Sequence, residues 1–134
     1  MIYILDASAM IAYLRNEEGA VFVGACLLER ANESYSHAVN LCEVFYDFRR
    51  TGGEQTAQAA IGDLLGVGIR AREDLSSEFW QAAGRVKAVH RRVSLADCFA
   101  IALAQSMGGT VLTCDHHEFD AIAAGNPCPV TFIR

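Results

Sequence analysis

The sequence predicts an α/β protein: a single domain, residues 1–134, with a central parallel sheet flanked by helices on both faces. Three observations predict it. Short apolar runs of strand length alternate with longer segments of helical spacing, the pattern of strand–helix–strand crossovers. The two clearest runs, Ile2–Leu5 and Thr110–Cys114, show no alternating polar face, as expected for strands covered on both sides. The length of 134 residues suffices for one real hydrophobic core and leaves little room for a second.

Taken in order, Ile2–Leu5 (IYIL) reads as a buried strand, and Ser8 as the cap of a helix over about Ala9–Arg15. Glu18–Ala31 is a second helix, with Val21, Ala25 and Leu28 at helical spacing. Ser34–His37 is a short strand candidate. Val39–Arg50 is helical and stops at Gly52-Gly53, and Glu54–Leu65 is closed by Gly66. Gly68–Ala71 is a further strand candidate. A helix starting at Asp74 or Ser76 runs through Val89, and Ser94–Met107 is the next, ended by Gly108-Gly109. After the strand Thr110–Cys114 come a short helix around Phe119–Ala124 and a last strand, Val130–Ile133.

Apolar residues make up 52% of the chain and prolines number two, which excludes a disordered protein. The five cysteines, Cys26, Cys42, Cys98, Cys114 and Cys128, are odd in number, form no CxxC pair and stand among apolar neighbours. They read as reduced, buried small hydrophobes of a cytoplasmic protein, not as a disulfide frame or a zinc site. The N-terminus lacks the pattern of a signal peptide, and no apolar run reaches the ~18 residues of a membrane helix. The formal charge of −5 weighs against a nucleic-acid partner. The charges are unevenly placed, however: of eleven Lys and Arg residues, eight fall between Arg49 and Arg92. Arg85, Lys87, Arg91 and Arg92 crowd the segment before Asp97.

The acids carry the chemistry. In parallel sheets, ligands bind beyond the carboxyl ends of the strands. Asp6 directly follows IYIL and Asp115 directly follows TVLTC, so both belong at that end. Each also has a local explanation: Asp6 as a helix cap, Asp115 as a turn residue. Asp97 is the only charged residue in the otherwise apolar stretch Leu95–Ala104, where an unpaired carboxylate needs a partner, a proton or a cation. Its bland alternative is a capping box with Ser94, for which Asp is short. Glu43 shares a helix stripe with Asn40 and Asp47, which a solvated polar face would explain equally. The adjacent His116 and His117 diverge and make a poor ligand pair, and His37 and His90 show no partner in the sequence. Together, converging carboxylates repel, and a hard divalent cation with oxygen ligands, Mg²⁺ or Mn²⁺, resolves that repulsion. Such ions serve phosphoryl chemistry.

The segments YILDASAMIAYL, AVNLCEVFYDF, SLADCFAIALA and TVLTCDHHEF stand in the order and approximate spacing of a PIN domain, and nearly the whole chain resembles the VapC-type toxin ribonucleases of bacterial toxin–antitoxin pairs. The resemblance implies that Asp6, Glu43, Asp97 and Asp115 hold Mg²⁺ and catalyse RNA cleavage. It implies that Ser8 and Thr113 are hydroxyls lining the site, with Asn40 beside Glu43. An antitoxin protein would be the partner and a homodimer the assembly, with no membrane involved. The family's last motif often carries a second acid two residues after the first; here that place is His117, with Glu118 and Asp120 nearby. Which of these completes the site, and whether one ion or two bind, stays open. An acidic pocket beside the basic segment, Arg91 and Arg92 included, suits an RNA whose scissile phosphate meets the metal.

Other readings are a different Mg²⁺-dependent phosphoryl-transfer enzyme and a non-catalytic PIN-fold binding protein. A haloacid-dehalogenase-like phosphatase wants an aspartate where Ser8 stands, and a receiver-like domain wants paired acids and a late-strand lysine that the sequence lacks. A Cys or Ser triad has no convincing histidine or elbow.

Overall fold

The structure, a computed structural model, describes residues 1–125 and 127–134. Five parallel strands form one sheet: β1 (Ile2–Leu5), β2 (Glu33–His37), β3 (Ile69–Arg72), β4 (Thr110–Thr113) and β5 (Val130–Phe132). Their spatial order is β3-β2-β1-β4-β5, with Tyr3 in register with Ser34 on one side and Thr110 on the other. Between β1 and β4 the winding direction reverses, which opens a crevice at their carboxyl ends.

The helices are α1 (Ala7–Leu14), α2 (Ala20–Leu28), α3 (Ala38–Gly52), α4 (Glu54–Gly66), α5 (Ser77–Val89), α6 (Leu95–Met107) and α7 (His116–Gly125). Side-chain alternation along the central strands divides the core in two. Ile4 and Val111 point toward α5, α6 and α7, against Phe79, Ile101, Leu103, Phe119 and Ile122. Leu5 and Leu112 point to the opposite face, against Met10, Val23, Val44 and Leu64 of α1 to α4. The sheet is therefore covered on both sides, as its unbroken apolar strands require.

Several boundaries differ from expectation for local reasons. Helix α1 begins two residues early because Asp6, not Ser8, caps it, one carboxylate oxygen accepting the Ala9 N–H at 2.9 Å. Helix α7 begins at His116 because Asp115 accepts the Glu118 N–H at 3.0 Å. In α2 the inward face is Ala20, Val23 and Cys26, whereas Val21 and Leu28 are 86% and 82% exposed and Ala25 also faces out. That helix, AVFVGACLL, is apolar all round, so helical spacing could not choose its buried face. Cys42 is exposed and Cys114 half-buried, against the expectation that all five thiols are interior. Helix α6 is buried almost all round as expected, and ends at Gly108, whose φ of 65° suits glycine. Among the described residues, no helix is long and apolar enough to cross a membrane.

Candidate active site

The crevice at the β1/β4 reversal is a cleft of about 150 Å³ lined by Asp6, Ala7, Ser8, Glu43, Ser94, Asp97, Asp115 and Glu118. Four separated segments thus deliver five carboxylates to one place. Three helices, α1, α6 and α7, start there, and their N-terminal dipoles oppose part of the mutual repulsion of the acids.

Asp6 is the most firmly held. It is 1% exposed, and both oxygens are occupied. Oδ1 accepts from the Ser8 hydroxyl at 2.7 Å and the Ala9 amide at 2.9 Å, and Oδ2 accepts from the Thr113 hydroxyl at 2.6 Å. Thr113 Oγ1 also accepts the Asp115 N–H, and Ser8 Oγ accepts the Cys114 N–H, each at 3.0 Å. The two hydroxyls therefore lace the end of β1 to the end of β4. Ser8 lines the cleft; Thr113 is fully buried behind it and orients Asp6 instead of facing the opening.

Asp97, on the first turn of α6, is 7% exposed. Ser94 does cap α6, its hydroxyl accepting the Asp97 N–H at 3.2 Å. The return arm of the box is not Asp97 but Glu118 of α7, which accepts the Ser94 N–H at 3.1 Å and faces the Ser94 hydroxyl at 3.3 Å. The Asp97 side chain is left for the cleft. Carboxylate oxygens of Asp97, Asp115 and Glu118 lie within 4.8 Å of one another.

The electrostatics record this crowding. Burial pushes Asp6 up to about 6 despite its three hydrogen bonds, and the Asp115 charge adds to the shift. Asp97 is held far above the carboxylate range, first by burial, then by a hydrogen bond with Glu118 and the charges of Asp6, Glu118 and Glu43. Glu43 is raised by burial and by Asp6 and Glu118. Each of these groups would ionise more readily beside a cation. The donor set is all oxygen, which fits a hard divalent ion and not zinc. The cleft's acids fit such an ion.

Other expected residues lie elsewhere. Asn40 is fully buried one turn before Glu43; its Nδ2 donates to Ala96 O at 3.3 Å, tying α3 to the start of α6, and its Oδ1 has no partner among the described residues. Asp47, at the solvent end of that stripe, is paired with Arg15 and Arg50. Asp120 binds His116, whose ring stacks on Phe132, and neither lines the cleft. Of the acids near Asp115, Glu118 is the one brought in. The signal was the cap: Asp115 accepts the Glu118 N–H at the start of α7, which sets Glu118 on the first turn beside it. His37, which showed no partner in the sequence, has two: it accepts the Val39 N–H, capping α3, and meets Asp74 O at 2.9 Å. Arg91 and Arg92 border a second cavity that shares Glu118 with the cleft. Lys87 and Arg85 do not join that rim: the Lys87 ammonium is turned onto the carbonyls of Arg91 and Val93, and Arg85 lies beside Val86, Val89 and Gln105.

No curated protein matches the sequence. Among solved structures, the fold is similar to a chain of VapBC2 from Rickettsia felis bound to a promoter DNA fragment, with TM-score 0.76, 14% identity and 98% of each chain covered. It is similar to DNA-bound VapBC from Salmonella typhimurium, with TM-score 0.74, 15% identity, and 100% of this chain and 99% of that one covered. It is also similar to VapC20 of Mycobacterium tuberculosis, described as a toxin cleaving the sarcin–ricin loop, with TM-score 0.70, 20% identity, and 89% and 94% covered. The profile of the PIN domain matches residues 3–125, a span that holds every acid of the cleft, and the chain belongs to the PIN domain family.

Proposed function

We propose that residues 1–134 act as one PIN domain with Mg²⁺-dependent endoribonuclease activity, the toxin of a toxin–antitoxin pair. The observation that supports it best is the convergence of Asp6, Glu43, Asp97, Asp115 and Glu118 on one cleft at the sheet's switch point. Asp6, Asp97 and Asp115 would hold the ion, with Glu43 on the α3 side and Glu118 buttressing Asp97 from α7. Mg²⁺, or Mn²⁺ in its place, supplies neutralisation of the phosphate oxygens and a more acidic attacking water. The chain's own residues do the positioning. Ser8 and Thr113 fix both oxygens of Asp6, so its carboxylate presents one orientation to the cleft. Asn40 fixes the spacing of α3 and α6, and with it the separation of Glu43 and Asp97. Arg91 and Arg92 meet the RNA backbone beside the cut.

The partner would be a cognate antitoxin, as in the VapBC complexes whose fold this chain shares. The outward face of α2, with Val21 and Leu28 uncovered, is the kind of apolar surface that a partner protects. A homodimer and a cytoplasmic location complete the proposal. A non-catalytic role is disfavoured, because a binding protein has no use for buried, mutually repelling acids. The test is RNA cleavage by purified protein with Mg²⁺, with EDTA, and by Asp6→Asn and Asp97→Asn. Cleavage by wild type in Mg²⁺ alone supports the proposal; cleavage unaffected by EDTA or by both substitutions overturns it.

A further inference from the structure

The cavity beside the acidic cleft has features the cleft does not need. It is about 240 Å³ and is lined by the turn from Val89 to Val93 and by His117, Glu118 and Ala121 of α7. Its apolar part comes from Val89, Val93 and Ala121; its polar rim comes from two arginines, two histidines and Glu118. Elsewhere the arginines are mostly spoken for: Arg15, Arg49, Arg50, Arg70, Arg72 and Arg134 each meet a carboxylate. Arg91 and Arg92 meet none among the described residues and are exposed. The turn that presents them is nevertheless fixed. Lys87 Nζ donates to Arg91 O at 2.9 Å and to Val93 O at 2.6 Å, and the Val93 N–H donates to His90 O at 3.1 Å. A lysine is used up to shape a turn whose cationic side chains stay open.

We propose that this cavity is a base-binding subsite, taking an unpaired RNA nucleobase next to the phosphodiester held at the acidic cleft. The inference rests on the ribonuclease reading above and adds the place where this chain holds the base beside the cut. Guanidinium planes and imidazole rings are the groups on which splayed-out RNA bases stack, and an apolar floor accepts the flat face of any base. A phosphate site alone would need the arginines but not the apolar floor. The cavity is also too small for more than a compact ligand, being below the ~300 Å³ of ordinary small-molecule sites. Because Glu118 belongs to both the cavity and the cleft, a base seated there lies within one nucleotide of the cut.

Two measurements test it. The first is steady-state cleavage of a labelled single-stranded oligoribonucleotide in Mg²⁺ by wild type and by a His117→Ala variant, changed at an exposed position that lines the cavity and not the cleft. The expected result is a roughly tenfold higher KM, the scale of one lost stacked base, with kcat unchanged. The second is a ¹H–¹⁵N titration of metal-free wild type with adenosine 5′-monophosphate and, separately, with ribose 5-phosphate. The nucleotide should move the amides of Arg91, Arg92, His117 and Ala121, and the sugar phosphate should not. An unchanged KM in the His117→Ala variant, or equal shifts with ribose 5-phosphate, overturns the subsite. If wild type cuts no RNA while the nucleotide still moves those amides, the ribonuclease reading falls and the subsite stands.

Discussion

Replacing Asp97 by Asn should make the metal-free protein more stable at neutral pH. The native protein keeps a proton on this buried acid well above the ordinary value of 3.8, because burial, Glu118 and the charges of Asp6 and Glu43 all disfavour ionisation. The unfolded chain has no such surroundings and loses that proton near 4. Between pH 5 and 7 the native state therefore binds about one more proton than the unfolded state, and stability falls as pH rises. One proton corresponds to about 1.4 kcal/mol per pH unit, or ~2.7 kcal/mol across those two units. The Asp97→Asn side chain would keep the shape, could donate to Glu118 as the protonated acid does, and has nothing to ionise; Ser94 would still cap α6 through the backbone. Urea unfolding in EDTA at pH 5, 6 and 7 reads the difference. The variant's lead should vanish below about pH 4 and grow by roughly 2–3 kcal/mol between pH 5 and pH 7. Parallel pH profiles, or a variant that is less stable at pH 7, would refute the reasoning and make Asp97 a structural residue.

Three further outcomes follow from the same geometry. Thr113→Val removes the hydroxyl that donates to Asp6 and accepts the Asp115 N–H, so it should cost about 1–3 kcal/mol in urea unfolding and weaken divalent-ion binding. Mn²⁺ or Mg²⁺ at a hundredfold excess over its Kd should stabilise wild type by ~2.7 kcal/mol in thermal unfolding, a shift that Asp6→Asn should lack. Changing Arg91 and Arg92 together to Ala should reduce the salt dependence of single-stranded RNA binding by about 0.7 in log–log slope per lost contact, measured by anisotropy; an unchanged slope would move the RNA path elsewhere.

What the sequence made legible was local. IYIL and TVLTC announce central strands because strands covered on both faces have no polar side, and the acids after them fall at the carboxyl end by topology alone. The lone charge in LADCFAIALA marks Asp97 for the same reason. What stayed hidden depended on contacts distant in sequence. The partner of Ser94 is Glu118, 24 residues away, so the half-formed capping box of SLAD could not reveal that Asp97 is free for the cleft. The sequence left Glu118 and Asp120 as equal candidates; the cap at Asp115 separates them by directing one inward and the other toward His116. Lys87 and Arg91 look alike in a charge run, yet one closes a turn and the other faces the cavity. Helix α2 offered no polar residue to point outward, so its exposed side was not encoded in its own period.

The acids of the cleft are proposed to form one divalent-cation site. The most direct measurement is the anomalous scattering of crystals grown with Mn²⁺, recorded at the manganese edge. The expected map shows its strongest peak between Asp6, Asp97 and Asp115, and loses that peak in Asp6→Asn crystals grown alike. A cleft without anomalous density at saturating Mn²⁺, or a peak that persists unchanged in the variant, would contradict it.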